Sequence, residues 1–142
     1  MATIAEALMS WLRECPELAD GKLRIDWLPE DARQFSIDVV PCTPLLKRYT
    51  GGSRTLKQFQ FNLASRVFVG ADVRDAMDNY EFYEAFAAWI EDKNKNREWP
   101  ELGENREARG IQVNTSGYPM LIREDGLARY QIQLTLKYEE GQ

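Results

Sequence analysis

The chain has 142 residues, 44% hydrophobic and 29% charged, with 23 acids against 18 bases. This balance excludes a disordered chain and provides enough apolar surface for one core without disulfide or metal staples, so a single domain over 1–142 is expected. A net charge of −5 argues against a surface that is basic overall, and the absence of histidine removes Ser-His-Asp and Cys-His catalysis together with the commonest general base.

Thr3 and Glu6 form a T-x-x-E capping box ahead of Ile4, Leu8, Trp11, Leu12 and Cys15 at three-to-four spacing, which predicts a first helix stopped by Pro16 and Asp20-Gly21. Met1 to Ile4 lacks a basic segment followed by an apolar run, and no stretch approaches the ~18 apolar residues of a membrane span, so a soluble, unexported protein is expected. Leu23, Ile25 and Trp27, and then Phe35, Ile37 and Val39, alternate with polar residues as half-buried strands do. Pro41 and Pro44 cannot donate to a ladder, so an edge, bulge or kink belongs there.

Leu45–Thr50 and Thr55–Gln60 flank Gly51-Gly52-Ser53-Arg54, the pattern of a protruding hairpin over about 45–60. Phe59, Phe61, Leu63, Val67 and Val69 form one face of the outgoing strand, and Gln58, Gln60, Asn62 and Arg66 the other. From Asp72, a good N-cap, the period turns helical: Val73, Ala76, Met77, Tyr80, Tyr83, Phe86, Ala87 and Ile90 trace an apolar stripe, as one kinked helix or two short ones. Glu91–Arg109 reads as an exposed connection, Ile111 and Val113 as a strand, and Tyr118–Ile122 as the start of a last hairpin turning at Glu124-Asp125-Gly126. Ala128, Tyr130, Ile132, Leu134, Leu136 and Tyr138 then alternate with polar residues in the final strand, and Gly141-Gln142 is expected to fray. The predicted class is α+β, in the order α-β-β-β-α-β-β-β: a mostly antiparallel or mixed sheet with two helices on one face.

Charge is distributed unevenly. Between Asp38 and Asp72 there is no acid, while Lys47, Arg48, Arg54, Lys57 and Arg66 give the window +5; the other 109 positions hold 13 bases and all 23 acids. Two readings of the hairpin charges stay open. They guard an exposed edge against aggregation, or they form an arm that meets an acidic neighbour or DNA. The rings of Tyr80, Phe82, Tyr83, Phe86 and Trp89 wrap widely around one helix, as core or as subunit interface; Trp89 is the ring assigned to an interface.

Catalytic signals are absent. Cys15 lies on an apolar helical stripe and Cys42 between prolines, so both are expected as reduced thiols, and two cysteines without imidazole lack the usual ligands of structural zinc. Carboxylate-only metal binding stays open, and Gly51-Gly52-Ser53 lacks the lysine and strand-to-helix context of a phosphate loop. The expectation is a non-enzyme without cofactor.

Ala5-Glu6-Ala7-Leu8 with Trp11-Leu12-Arg13, Pro41-Cys42-Thr43-Pro44 with Lys47-Arg48-Tyr49, Phe59-Gln60-Phe61, Phe82 to Ile90, Pro100-Glu101-Leu102-Gly103, and Ala128 to Gln133 together resemble small proteins of prophages in gut Firmicutes, found among the genes for head completion and tail. In size and element order the chain is similar to tail terminators of long-tailed phages. The resemblance implies a hexameric ring of copies that caps the tail tube, joins it to the head and lets DNA pass, assembled in the host cytoplasm and kept at the head-tail junction. Carried onto this sequence, it puts Lys47, Arg48, Arg54 and Lys57 on an arm that reaches a neighbouring subunit or the tube. A minor capsid or head-tail connector protein is the alternative within phage assembly. A nucleic-acid-binding module using the basic hairpin as a β-ribbon is the alternative outside it.

Overall fold

A computed structural model of the chain describes residues 3–18, 23–25, 35–49, 51, 53–68, 73–114, 118–122 and 127–141. The elements are α1 (Ile4–Leu12), a single 3-10 turn (Pro16–Leu18), β1 (Leu23–Ile25), β2 (Phe35–Val40), β3 (Leu45–Arg48), β4 (Arg54–Phe68), α2 (Val73–Asn96), β5 (Arg106–Val113), β6 (Tyr118–Ile122) and β7 (Leu127–Gly141). The fold is α+β.

The capping box forms as the sequence indicates. The Glu6 amide donates to Thr3 Oγ1 at 3.1 Å and the Thr3 amide to Glu6 Oε2 at 3.4 Å, satisfying two N–H groups that a helix start leaves unpaired. Ala7, Leu8, Trp11 and Leu12 then turn into the core.

The sheet is built on one ribbon. β4 and β7, each 15 residues long, pair antiparallel from Arg54↔Gly141 to Phe68↔Leu127, a span of about 50 Å at the usual strand rise. On the outer side of β4, β2 pairs with residues 60–65 and β3 with 55–57; on the outer side of β7, β5 pairs with 134–140 and β6 with 128–131. β1 pairs with β2 in parallel, so the sheet is mixed. β2 and β3 thus follow one edge of β4, interrupted where Pro41 and Pro44 lack N–H groups. Gln58 bridges the gap: its amide donates to the Pro44 carbonyl and its Nε2 to the Thr43 carbonyl, both at 2.8 Å.

Ile37, Phe61, Leu63, Ile132, Leu134 and Leu136 lie fully buried on one face of the sheet, in a single core with Leu8 and Leu12 of α1 and Phe86 and Ile90 of α2. Each such side chain contributes about 1.5–3 kcal/mol when removed from water. The Tyr83 ring stacks on Tyr130 with centroids 5.8 Å apart, and Phe82 on Phe35 at 5.4 Å, which fixes α2 over the same face. The opposite face carries Gln58, Gln60 and Asn62 of β4 beside Lys137, Thr135 and Gln133 of β7.

Three sequence readings need correction. Among the described residues four strands, not three, lie between the helices, because the interrupted edge counts as two. Of the two forms left open for the second helix, the single helix is found, and the expected Asp72 cap lies outside the described residues. The connection assigned to Glu91–Arg109 shrinks to 97–105, because the charges up to Asn96 are the solvated side of a helix that still buries Ile90. Its end is a Schellman turn: Arg97 takes a φ of 55°, its amide donates to the Asn94 carbonyl, and the Glu98 amide reaches the Lys93 carbonyl at 2.9 Å. Gly141 does not fray either; it is paired in β7, and its amide donates to the Asn105 carbonyl at 2.8 Å.

Candidate functional site

The hairpin forms where glycine allows it. Gly51 has a φ of 97°, and the Tyr49 amide closes the turn onto the Arg54 carbonyl at 3.1 Å. It is not a two-stranded arm, because β7 and β5 extend alongside it, and its end is a four-stranded sheet ordered β3-β4-β7-β5.

That arrangement changes the meaning of the basic window. Arg54 lies 3.4 Å from Glu139 and 3.7 Å from Glu107, while Arg109 lies 2.8 Å from Glu139 and 3.4 Å from Glu107, so two arginines and two glutamates form a ring of four charges. Lys57 pairs with Glu140 at 2.8 Å. The Arg109 guanidinium, and then the Tyr49 hydroxyl, hold the Glu139 carboxyl below the usual carboxylate range; in return Glu139 raises the pKa of both Tyr49 and Arg109. The two glutamates at the end of β7 and Glu107 of β5 therefore offset Arg54 and Lys57.

Lys47 and Arg48 remain. Both are exposed on β3, and neither makes an ion pair with a described residue. The Lys47 ammonium sits 5.2 Å above the Tyr49 ring, which presents it in a fixed direction. Because β3 is an edge strand, these two charges also discourage unwanted strand addition next to exposed Leu46. Trp89 stands apart from the hairpin: it is half-buried with its ring 4.7 Å from Trp11, joining α2 to α1. The side chain of Arg66 lies outside the described residues.

Sequence reasoning missed Tyr49, Glu107, Arg109, Glu139 and Glu140. Their only sequence signal is the register of two long strands, which aligns residue 54 with residue 141.

Several polar groups away from the hairpin have structural partners. Tyr83 and Ser65 share a buried hydrogen bond of 2.8 Å, and burial pushes the Tyr83 hydroxyl well above its usual range. Arg129 pairs with Asp38, which also accepts from Ser36 Oγ at 2.7 Å. Cys15 is buried and Cys42 half-buried, and the two are not joined in a disulfide. Among the described residues no group of three acids or cysteines is placed to hold a metal ion, and no helix is long and apolar enough to cross a membrane.

No protein-family model matches the chain, and no curated protein matches it significantly. One solved protein structure superposes on 99% of this chain and 92% of its own length with a TM-score of 0.46 at 13% identity. At that distance it lends neither fold nor function to this chain.

Proposed function

We propose that this chain is a phage assembly protein, a tail terminator or tail-completion ring subunit that joins the tail tube to the head. The observation that supports this most is the display of Lys47 and Arg48, without acidic partners among the described residues, at the end of a ribbon about 50 Å long. A rigid, four-stranded extension suits contact with a neighbour better than turnover of a small molecule. The sequence resemblance supplies the setting: copies of the chain in a ring, hexameric by that resemblance, meet the tail tube on one side and the connector on the other. A net charge of −5 suits a channel that lets DNA pass without holding it, since clustered bases would bind its phosphates. The protein acts by contact, with no enzymatic step and no cofactor, first in the host cytoplasm and then in the virion.

The β-ribbon reading as a nucleic-acid module is weakened by Glu107, Glu139 and Glu140, whose carboxylates would face any phosphate approaching Arg54 or Lys57. The test is deletion of the gene from an inducible prophage, with negative-stain imaging of the particles. Overlong or ragged tails detached from full heads are expected. Normal-length tails beside leaking heads would move the protein to the connector, and intact infectious particles would overturn the assembly role.

A further inference from the structure

A groove of about 590 Å³ lies between α1 and the connection from α2 to β5, within the range of about 300–1,000 Å³ typical of ligand sites. Its floor is apolar and held in place. Trp11 Nε1 donates to the Glu98 carbonyl and Trp99 Nε1 to Asn94 Oδ1, both at 2.8 Å, and Pro100 is buried beside them. The rim carries exposed Glu6, Glu14 and Glu101. Glu98 is already paired with Lys93 at 2.9 Å, so the remaining rim charge is negative. The half-buried Trp99 ring bordered by carboxylates favours a cation on an aliphatic stem, which gains ring contact and charge pairing together.

We propose that this groove receives the β3–β4 hairpin of a second copy of the chain, with Lys47 and Arg48 meeting Glu14 and Glu101 beside Trp99. The proposal deepens the self-association part of the function given above and rests on that part alone. Charge complementarity selects the occupant: the groove is acidic, and the chain itself displays an exposed basic pair that has no ion-pair partner among the described residues. The hairpin does not fill its own groove, because β3 is held in the sheet by its register with β4, Leu45↔Lys57 to Arg48↔Thr55. Donor and acceptor are different surfaces, so each copy gives one contact and takes one, a heterologous interface that closes into a ring or runs on as a filament.

The test uses the full-length protein, mixed at equal parts in unlabelled and ¹⁵N-labelled form and treated with a zero-length carbodiimide cross-linker. Mass spectrometry is expected to find mixed-isotope links from Lys47 to Glu14 or Glu101. Sedimentation is expected to show oligomers that dissociate as salt rises from ~0.1 M to ~1 M, where screening shortens from about 10 Å to about 3 Å. Lys47→Glu/Arg48→Glu and Glu14→Lys/Glu101→Lys should each lose self-association, and mixing the two variants should restore a pair. All four positions are exposed, and circular dichroism melts establish that each variant is folded. A wild-type protein that stays monomeric without mixed links, or oligomers that survive both double variants, would overturn the groove. Neither result would touch the prophage phenotype, which tests the phage role separately.

Discussion

Arg54 begins β4 and Glu139 lies near the end of β7, yet their side chains meet at 3.4 Å, and Arg109 of β5 reaches the same carboxylate at 2.8 Å. One glutamate thus ties three strands together where the ribbon leaves the core. It also removes Arg54 from the free positive charge of the hairpin, leaving Lys47 and Arg48 as the exposed bases of β3 without an ion-pair partner among the described residues.

Glu139→Gln should lower the melting temperature at neutral pH, and the gap from wild type should close in acid. Its folded pKa is depressed below the unfolded value, so its stabilisation is present above the unfolded pKa and lost as pH falls through the folded one. Thermal melts of both proteins across the acid range check this. An unchanged gap at low pH would show that the glutamate acts by packing.

Tyr83→Phe should cost about 1–2 kcal/mol, because it leaves the buried Ser65 hydroxyl without its 2.8 Å partner. The raised pKa of Tyr83 means that its contribution is fully present below the unfolded value of about 10 and lost as pH climbs toward the folded one. Denaturant unfolding gives the energy. Ultraviolet titration should show one fewer late-ionising tyrosine in Tyr83→Phe than in the wild type.

Asn94 substitutes for a missing strand at the edge of β5. Its Nδ2 donates to the Ile111 carbonyl at 2.5 Å, while its Oδ1 accepts from the Ile111 amide at 3.0 Å and from Trp99. Asn94→Ala should therefore destabilise by about 1–3 kcal/mol. Amide exchange should localise the loss: the Ile111 N–H should exchange faster, while amides of the central β4·β7 ribbon follow only the global change.

Arg97→Gly should stabilise the protein by about 1 kcal/mol, since a φ of 55° is strained for arginine and free for glycine. Chemical denaturation measures it, and a loss of stability would mean that the Arg97 side chain makes a contact worth more than the strain.

Local chemistry was legible where the sequence carried a local rule. Thr3 and Glu6 announced the capping box, Gly51 the turn, the prolines the interrupted edge, and the alternation from Tyr130 to Tyr138 the central strand. The end of α2 was obscured because a solvated helical side and a polar loop share the same composition from Glu91 to Asn96. The charge ring was obscured for another reason: counting acids within a window of sequence ignores strand pairing, which brings Glu139 and Glu140 beside Arg54 and Lys57. Lys47 and Arg48 keep their exposed charge because an edge strand has one paired neighbour, and β4 offers them no acid.

The proposed role rests on the hairpin end as the contact that joins particles. Its most direct test is to complement the prophage deletion with Lys47→Glu/Arg48→Glu, after showing that the purified variant melts as wild type does. Surface changes of this kind usually shift stability by only about ±0.5 kcal/mol. The expected result is tails that fail to join heads, as in the deletion. Normal, infectious virions carrying the folded variant would contradict that role.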